Sequence, residues 1–246
     1  MDHFVYIAAS GAQEMMLAQA ANSHNLANAS TPGFKADMVS AESRYLDGVG
    51  ADSRVYTIEK RKGTDLAPGS LEQTGRDLDV AIVGEGWMAV QAPDGTEALT
   101  RRGDLRVDAF GQLLNGAGQP VLGERGPIAL PPFSSLTVGT DGTVSIVPLG
   151  EQINAVAVLD RIKLVNPPAE QIDKGADGLL RLDDGLASEP AADVRLASGM
   201  LESSNVNPVS AMVQMIELSR QYEMHVRMMS TAQELDTAST QLMRLE

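Results

Sequence analysis

The chain has 246 residues, with 33 Asp and Glu against 19 Lys and Arg for a formal charge of −14, and it has no cysteine. The length suits one large domain or two small ones. The acidic balance offers no basic excess to displace phosphate counterions, which argues against nonspecific nucleic-acid binding and against an anionic membrane surface. Disulfides, thiol catalysis and cysteine metal sites are excluded outright. No apolar run reaches the roughly 18 residues of a membrane span, and residues 1–10 lack the basic start and apolar core of a cleaved signal peptide.

The first element is a helix over about residues 3–28. On a 3.6-residue period Phe4, Ile7, Ala8, Gly11, Ala12, Met15, Ala18, Asn22 and Leu26 share one face. Much of that face is small or polar, so it suits close packing against a second helix and buries too little to stand alone. Asn28, Ser30, Thr31, Pro32 and Gly33 end it, because proline lacks a donor and pushes the preceding residue out of the helical region.

Residues 35–70 carry a weak signal, a strand at Val55-Tyr56-Thr57-Ile58 and a solvated Lys60-Arg61-Lys62 cluster. Beyond them lies a turn-rich region: of 23 glycines, 19 fall between residues 61 and 199. Short apolar runs at 78–83, 87–90, 105–107, 112–114, 136–138, 144–147, 156–159 and 162–165 alternate with turns such as Pro93-Asp94-Gly95-Thr96 and Thr140-Asp141-Gly142-Thr143. Two more short strands are expected near 179–182 and 194–196. No helical period intervenes, which disfavours a parallel α/β sheet.

The last helix starts sharply. Asn207 caps it, Pro208 takes its first position, and no Pro or Gly follows in the remaining 38 residues. Met215, Tyr222 and Met229 fall seven apart, as do Met212, Ser219 and Val226, and with Ile216 they make a heptad-like seam. The pattern slips after Met229, where Gln233 and Asp236 occupy the seam and Leu235, Leu242 and Leu245 lie beside it. The expected fold is α+β: long N- and C-terminal helices forming a coiled-coil-like layer, around a mainly antiparallel β domain. The expected division is a helical part of residues 1–34 and 200–246, a connecting segment 35–70 and a β domain 71–199.

No residue set makes an enzyme. His3 and His24 lie about 30 Å apart along one helix and cannot share a metal. His24 and His225 meet only if the helices pair, with no carboxylates at ligand spacing. Asp77 and Asp79 alternate on one strand like a general acid/base pair, but turn formation and pairing with Arg76 explain them as well. The glycine-rich 115–126 stretch lacks a Lys-Ser/Thr ending and a following helix. Asp173, Asp177, Asp183 and Asp184 lack calcium-loop spacing. No cofactor, metal or small-molecule substrate is expected.

The stretch Asn25-Leu26-Ala27-Asn28-Ala29-Ser30-Thr31-Pro32-Gly33-Phe34 resembles the signature of the bacterial flagellar rod and hook protein family. Three further blocks match that family in order. They are residues 74–82 (Thr-Gly-Arg-Asp-Leu-Asp-Val-Ala-Ile), residues 100–113 with Thr100-Arg101-Arg102-Gly103-Asp104, and residues 199–209 with Glu202, Asn205, Asn207 and Pro208. Two positions depart from it: Trp87-Met88 stands where paired aromatics are usual, and Leu99 where an aromatic precedes the Thr-Arg pair. Size and the opening residues 2–12 look most like the proximal-rod members, with a distal-rod subunit as the alternative.

The resemblance implies a structural subunit that polymerises in the periplasm to transmit motor torque. Its partners would be neighbouring copies and other rod proteins, and the flagellar type III export apparatus in transit, without a cleaved signal. It also implies structural contacts at Phe4, Ile7, Gly11, Met15, Leu26, Asn28, Pro32, Gly33, Phe34, Asn205, Asn207, Pro208, Met215, Tyr222, Met229, Leu235 and Leu242. A periplasmic enzyme such as a peptidoglycan hydrolase, and a soluble coiled-coil adaptor, are the readings from other classes. The first would need a catalytic acid in a groove.

Overall fold

The structure is a computed structural model that describes the backbone of residues 2–45, 55–150, 156–182 and 188–243, and the side chains of residues 5–39, 63–150, 156–182, 188–235, 237 and 238. The chain divides into two compact units. One comprises Met1–Ala29, Ala36–Asp65 and Val206–Glu246, the other Ser30–Lys35 and Leu66–Asn205.

In the first unit, helix α1 (Asp2–Ala27) pairs with helix α2 (Pro208–Met243). The pairing is antiparallel. Gly11 lies under His225, while the Asn22 amide, buried near the other end of α1, donates to the carbonyl of Ala211 at 2.7 Å. Between the helices in sequence, strand β1 (Asp37–Tyr45) and strand β2 (Val55–Thr64) make an antiparallel hairpin that packs on α1. The strand expected at 55–58 is thus the start of a longer one. The side chains of Lys60, Arg61 and Lys62 lie outside the described residues.

Helix α2 begins where its sequence says it should. The Asn207 side-chain oxygen accepts from the amides of Val209 and Ser210 at 3.0 and 3.1 Å, and the Asn207 carbonyl accepts the first helical bond from Ala211.

The seam of α2 differs from the expected one. Its inward residues are Ala211, Met215, Leu218, Tyr222, His225, Met229 and Ala232, a four-three alternation without interruption. Met215, Tyr222 and Met229 are in the seam as expected. Met212, Ser219 and Val226 are exposed, and so is Ile216. Two apolar heptad series interleave on this helix, and hydrophobicity alone favours the wrong one. The opposing surface of α1 decides: Ala8, Gly11, Ala12 and Ala18 line it with small residues, so α2 comes close, with His225 against Gly11, and turns its Leu218 and Tyr222 side inward. The expected phase slip after Met229 disappears in this register, since Ala232 is buried.

On α1, Ala8, Ala12 and Asn22 are buried and Gly11, Met15, Ala18 and Leu26 half-buried, as the periodicity predicts. Ile7 is a correction: it is 44% exposed, because it sits past the edge of the contact stripe.

The second unit is built from short antiparallel strands. Its largest sheet runs in the order Leu164–Val165, Trp87–Gln91, Glu97–Thr100, Leu180–Leu182, Ile172–Lys174. A three-stranded sheet contains Phe133–Val138, Thr143–Pro148 and Ala157–Arg161, the first two joined by the Asp141-Gly142 turn. Among the described residues four strand pairs complete it: Val80–Val83 with Arg195–Ser198, Leu71–Gln73 with Met200–Glu202, Arg106–Val107 with Leu113–Leu114, and Leu122–Gly123 with Gly126–Pro127.

The strand Trp87–Gln91 shows why its sequence is apolar throughout. Met88 and Val90 enter the main core with Leu105, Leu113, Val121, Val144 and Ile146. Trp87 and Ala89 point the other way, into a second cluster with Leu99, Val165 and Leu180. Both faces are covered, so no polar alternation survives. The two positions where the chain departs from the aromatic pattern, Met88 and Leu99, are 2% exposed and fill these two clusters.

Candidate functional site

In the β-rich unit, the segments carrying the sequence motifs converge on one carboxylate. Glu202 ends the strand Met200–Glu202 and is 1% exposed. One of its oxygens accepts from Lys35 Nζ at 2.7 Å and from the Gly69 amide at 2.9 Å, and the other accepts from Arg101 Nη1 at 2.9 Å. Both cations are themselves buried and also donate to backbone. Lys35 donates to the Ala67 carbonyl at 2.8 Å, and Arg101 donates through Nε to Gly86 and through Nη2 to Gly84, at 3.0 and 2.6 Å. Trp87 underlies the pair, its ring centre 5.8 Å from Lys35 Nζ and 5.1 Å from the Arg101 guanidinium.

A buried charge with all its partners in place is tolerated, whereas an unpaired one is not. The carboxyl of Glu202 shows the balance. Burial pushes its pKa up, but the hydrogen bonds from Lys35 and Gly69 and the charges of Arg101 and Lys35 outweigh it, holding the group below the usual glutamate range.

Gly33 brings the N-terminal motif to the same place. Its amide donates to the Glu202 carbonyl at 2.8 Å, its φ is +67°, and a Cβ there would lie 2.3 Å from the Arg101 carbonyl carbon. Only glycine satisfies both conditions. Beside it, Pro32 is half-buried, and Phe34 lies beneath the Lys174 ammonium at 4.1 Å. The Asn205 amide donates to the Phe34 carbonyl at 3.3 Å and its side chain to Ala67 at 3.2 Å. Gly33, Phe34 and Asn205 are thus brought together, along with Lys35, Arg101 and Glu202, which the sequence reading did not single out. Their signal was weak but present: Arg101 and Glu202 stand inside motif blocks otherwise made of turn and strand residues, and Lys35 directly follows the first block.

The other expected contacts lie in the helical unit. Asn28 closes α1 by donating its side-chain amide to the His24 carbonyl at 3.0 Å. Gly11 leaves room for His225 of α2: a Cβ there would lie 2.3 Å from His225 Cε1. The side chains of Phe4 and Leu242 lie outside the described residues, and Leu235 is 56% exposed.

Among the described residues, the acidic side chains weighed for catalysis do not gather into a reaction site. Asp79 is buried, with its amide and carbonyl in backbone bonds and Arg76 Nη1 at 3.5 Å. Asp141 caps its own turn, where the hydroxyl and amide of Thr143 lower its pKa, and Asp177 does the same for Arg181 and Leu179. Asp183 and Asp184 lie outside the described residues. His24 Nδ1 meets Asp37 Oδ2 at 2.6 Å, about 20 Å along α1 from the helix crossing at Gly11 that holds His225, so these two histidines do not meet. Among the described residues, no three His, Asp or Glu side chains are grouped to hold a metal ion, and no helix is long and apolar enough to cross a membrane.

The family model "Flagellar hook protein FlgE/F/G D1 domain" matches residues 81–146, and "Flagellar basal body rod FlgEFG protein C-terminal" matches residues 197–242. Over the whole of both chains, the sequence is 39% identical to the flagellar basal-body rod protein FlgF of Salmonella typhimurium. The chain belongs to the flagellar basal-body rod protein FlgF family. The FlgF of Escherichia coli is 38% identical, again over 100% of each chain. A FlgG rod protein of Buchnera aphidicola is 32% identical over 89% of this chain and 92% of its own. The first family model covers the strand Trp87–Gln91 and Arg101, and the second covers Glu202 and most of α2. The buried cluster therefore joins the two matched regions of a FlgF family member, with Lys35 as its third contributor.

Proposed function

We infer that the chain is a structural subunit of the flagellar basal-body rod, in its proximal part, and that its work is mechanical. The observation that carries this reading is the similarity to FlgF rod proteins over the full length of both partners. The fold supports it. Long helices with apolar residues on their outer faces, such as Val209, Met212, Val213 and Ile216 on α2, suit a wall in which each helix has several neighbours. Copies of the chain and other rod proteins are the partners of those faces. The β-rich unit, locked by the Glu202 cluster, braces the wall. Assembly takes place in the periplasm after export through the flagellar type III apparatus. The chemistry is that of recognition and packing, without turnover.

The test is quantitative mass spectrometry of detergent-washed hook–basal bodies, counted against known rod and hook components. Recovery at a few copies per basal body is the expected result. A count in the tens would assign the chain to the distal rod, and absence from intact basal bodies would overturn the rod reading.

A further inference from the structure

Helix α2 has two faces with which to meet α1, and Met215, Tyr222 and Met229 belong to both. The face in use adds Ala211, Leu218, His225 and Ala232; the other would add Met212, Ser219 and Val226, with Ile216 beside it. Passing from one to the other turns α2 by about half of the roughly 100° between successive helical residues. The face in use gives up the better apolar series, since Met212, Ile216 and Val226 stay exposed while two alanines and a histidine turn inward. It also buries His225 Nδ1 without a hydrogen-bond partner, a cost that the other face would not carry. Apolar burial does not choose this rotation, so contacts specific to it must.

Two contacts exist in the observed rotation alone. Near one end, the buried Asn22 amide donates to the Ala211 carbonyl at 2.7 Å. Turning α2 to its other face would carry that carbonyl about 2 Å around the helix axis and away from α1, leaving a buried amide without its acceptor. Near the other end, the His225 ring fills the space at Gly11, where a Cβ would lie 2.3 Å from Cε1 and 2.7 Å from Nδ1. The turned helix would take His225 out of that space and leave it empty. One contact is polar and the other steric, and they stand about 16 Å apart along α1.

We propose that Asn22 and Gly11 select the face of α2 that pairs with α1, against the apolar preference of α2 itself. A buried polar group satisfied in one arrangement alone is the means by which coiled coils fix register and partner number, at a cost in stability. Here it fixes rotation. The consequence reaches the outer face: the turned helix would draw Met212 and Ile216 toward α1 and remove them from the surface that the rod reading gives to neighbouring chains. The proposal deepens that reading by naming what keeps the face open, and rests on it for the use made of the face.

The absence of native cysteine makes the test direct. Full-length chains carry one thiol each, Ser219→Cys on the exposed side of α2 or Ala232→Cys on the buried side, and the rate of labelling by a small maleimide is measured in dilute solution. In the native background Ser219→Cys should react about tenfold faster than Ala232→Cys, as for a closed state favoured by one decade. Adding Asn22→Leu, which removes the polar group at similar size, should bring the ratio to about one or invert it, without lowering the midpoint of helical circular dichroism. A merely structural Asn22 would act otherwise: both thiols would become more reactive together, Ser219→Cys would stay the faster, and the midpoint would fall. His225→Ala empties the space at Gly11 and should move the ratio the same way, which keeps the test decisive if Asn22→Leu does not fold. An unchanged ratio in both variants, or equal labelling of the two thiols in the native background, would overturn the selection. Recovery of the chain in basal bodies with an unchanged ratio removes this proposal and leaves the rod reading standing. A shifted ratio with no chain in basal bodies does the reverse.

Discussion

Replacing Glu202 by glutamine changes one atom and should cost the β-rich unit much of its stability. In the native chain both carboxylate oxygens accept, one from Lys35 and Gly69 and the other from Arg101. An amide offers one oxygen only. Turned one way its NH2 group faces Arg101, and turned the other way it faces Lys35 and the Gly69 amide, so donor meets donor in either case. Two cations that are 3% and 4% exposed at their side chains also lose the negative charge of Glu202. Breaking a buried pair of this kind costs roughly 3–5 kcal/mol. At about 2–4 °C per kcal/mol for a unit of this size, the midpoint should fall by roughly 6–20 °C. The assay is built in: Trp87 is the chain's single tryptophan and lies under both cations, so its fluorescence follows this cluster during thermal unfolding. Replacing Lys35 by methionine as well should recover part of the loss, since one of the two buried cations facing the amide is then gone.

The same variant tests the pH dependence. The folded pKa of Glu202 lies below its ordinary 4.5, so its contribution is complete above that value and is lost as the pH falls through the lower, folded one. Glu202→Gln should therefore flatten the acid limb of the Trp87 stability curve, leaving the sensitivity due to Asp94, Asp141 and Asp177, which are lowered too. A midpoint within 2 °C or so of the native chain, where less than about 1 kcal/mol is at stake, with an unchanged acid limb, would refute the account of the cluster.

Three further predictions concern the helices. Gly11→Ala gains about 1 kcal/mol of helix propensity but drives a methyl group into the His225 ring, so it should lower the thermal midpoint of helical circular dichroism in the native chain and raise it in His225→Ala; a gain in both backgrounds would contradict the close approach. Leu218→Ala should lower that midpoint by an amount corresponding to roughly 2–4 kcal/mol, and Met212→Ala, on the exposed face, by far less; equal effects would restore the register expected from hydrophobicity. Asn207→Ala removes the cap of α2 and should cost about 1 kcal/mol, measured by the same signal, with Asn207→Ser retaining most of it.

The long helices were legible because period and punctuation agree: Asn207-Pro208 and Asn28–Gly33 mark ends that the backbone obeys. Most strands of the β-rich unit were legible too, since turns such as Asp141-Gly142 separate short apolar runs. Strand pairs such as Leu122–Gly123 with Gly126–Pro127 were not, because two residues carry no period. The hairpin of β1 and β2 was half seen, as Asp37–Tyr45 mixes charged and small residues without alternation. The register of α2 was misread because it depends on the small residues lining α1, a property of the partner rather than of the helix itself. Glu202 lay hidden for a different reason. Lys35 is 167 positions away and Arg101 is 101 positions away, and a lone charge in a strand gives no sign of which distant cations will enclose it.

The β-rich unit is assembled from two stretches of chain, Ser30–Lys35 and Leu66–Asn205. Segment 33–35 and segment 202–205 are bonded to each other, Gly33 to Glu202 and Asn205 to Phe34, before the chain goes on to the helical unit. Topologically the short stretch is clasped by the last residues of the long one, so the unit closes only once Glu202 and Asn205 are in place. Surface turns inside the long stretch, such as Pro93-Asp94-Gly95, can therefore vary in length without disturbing that closure.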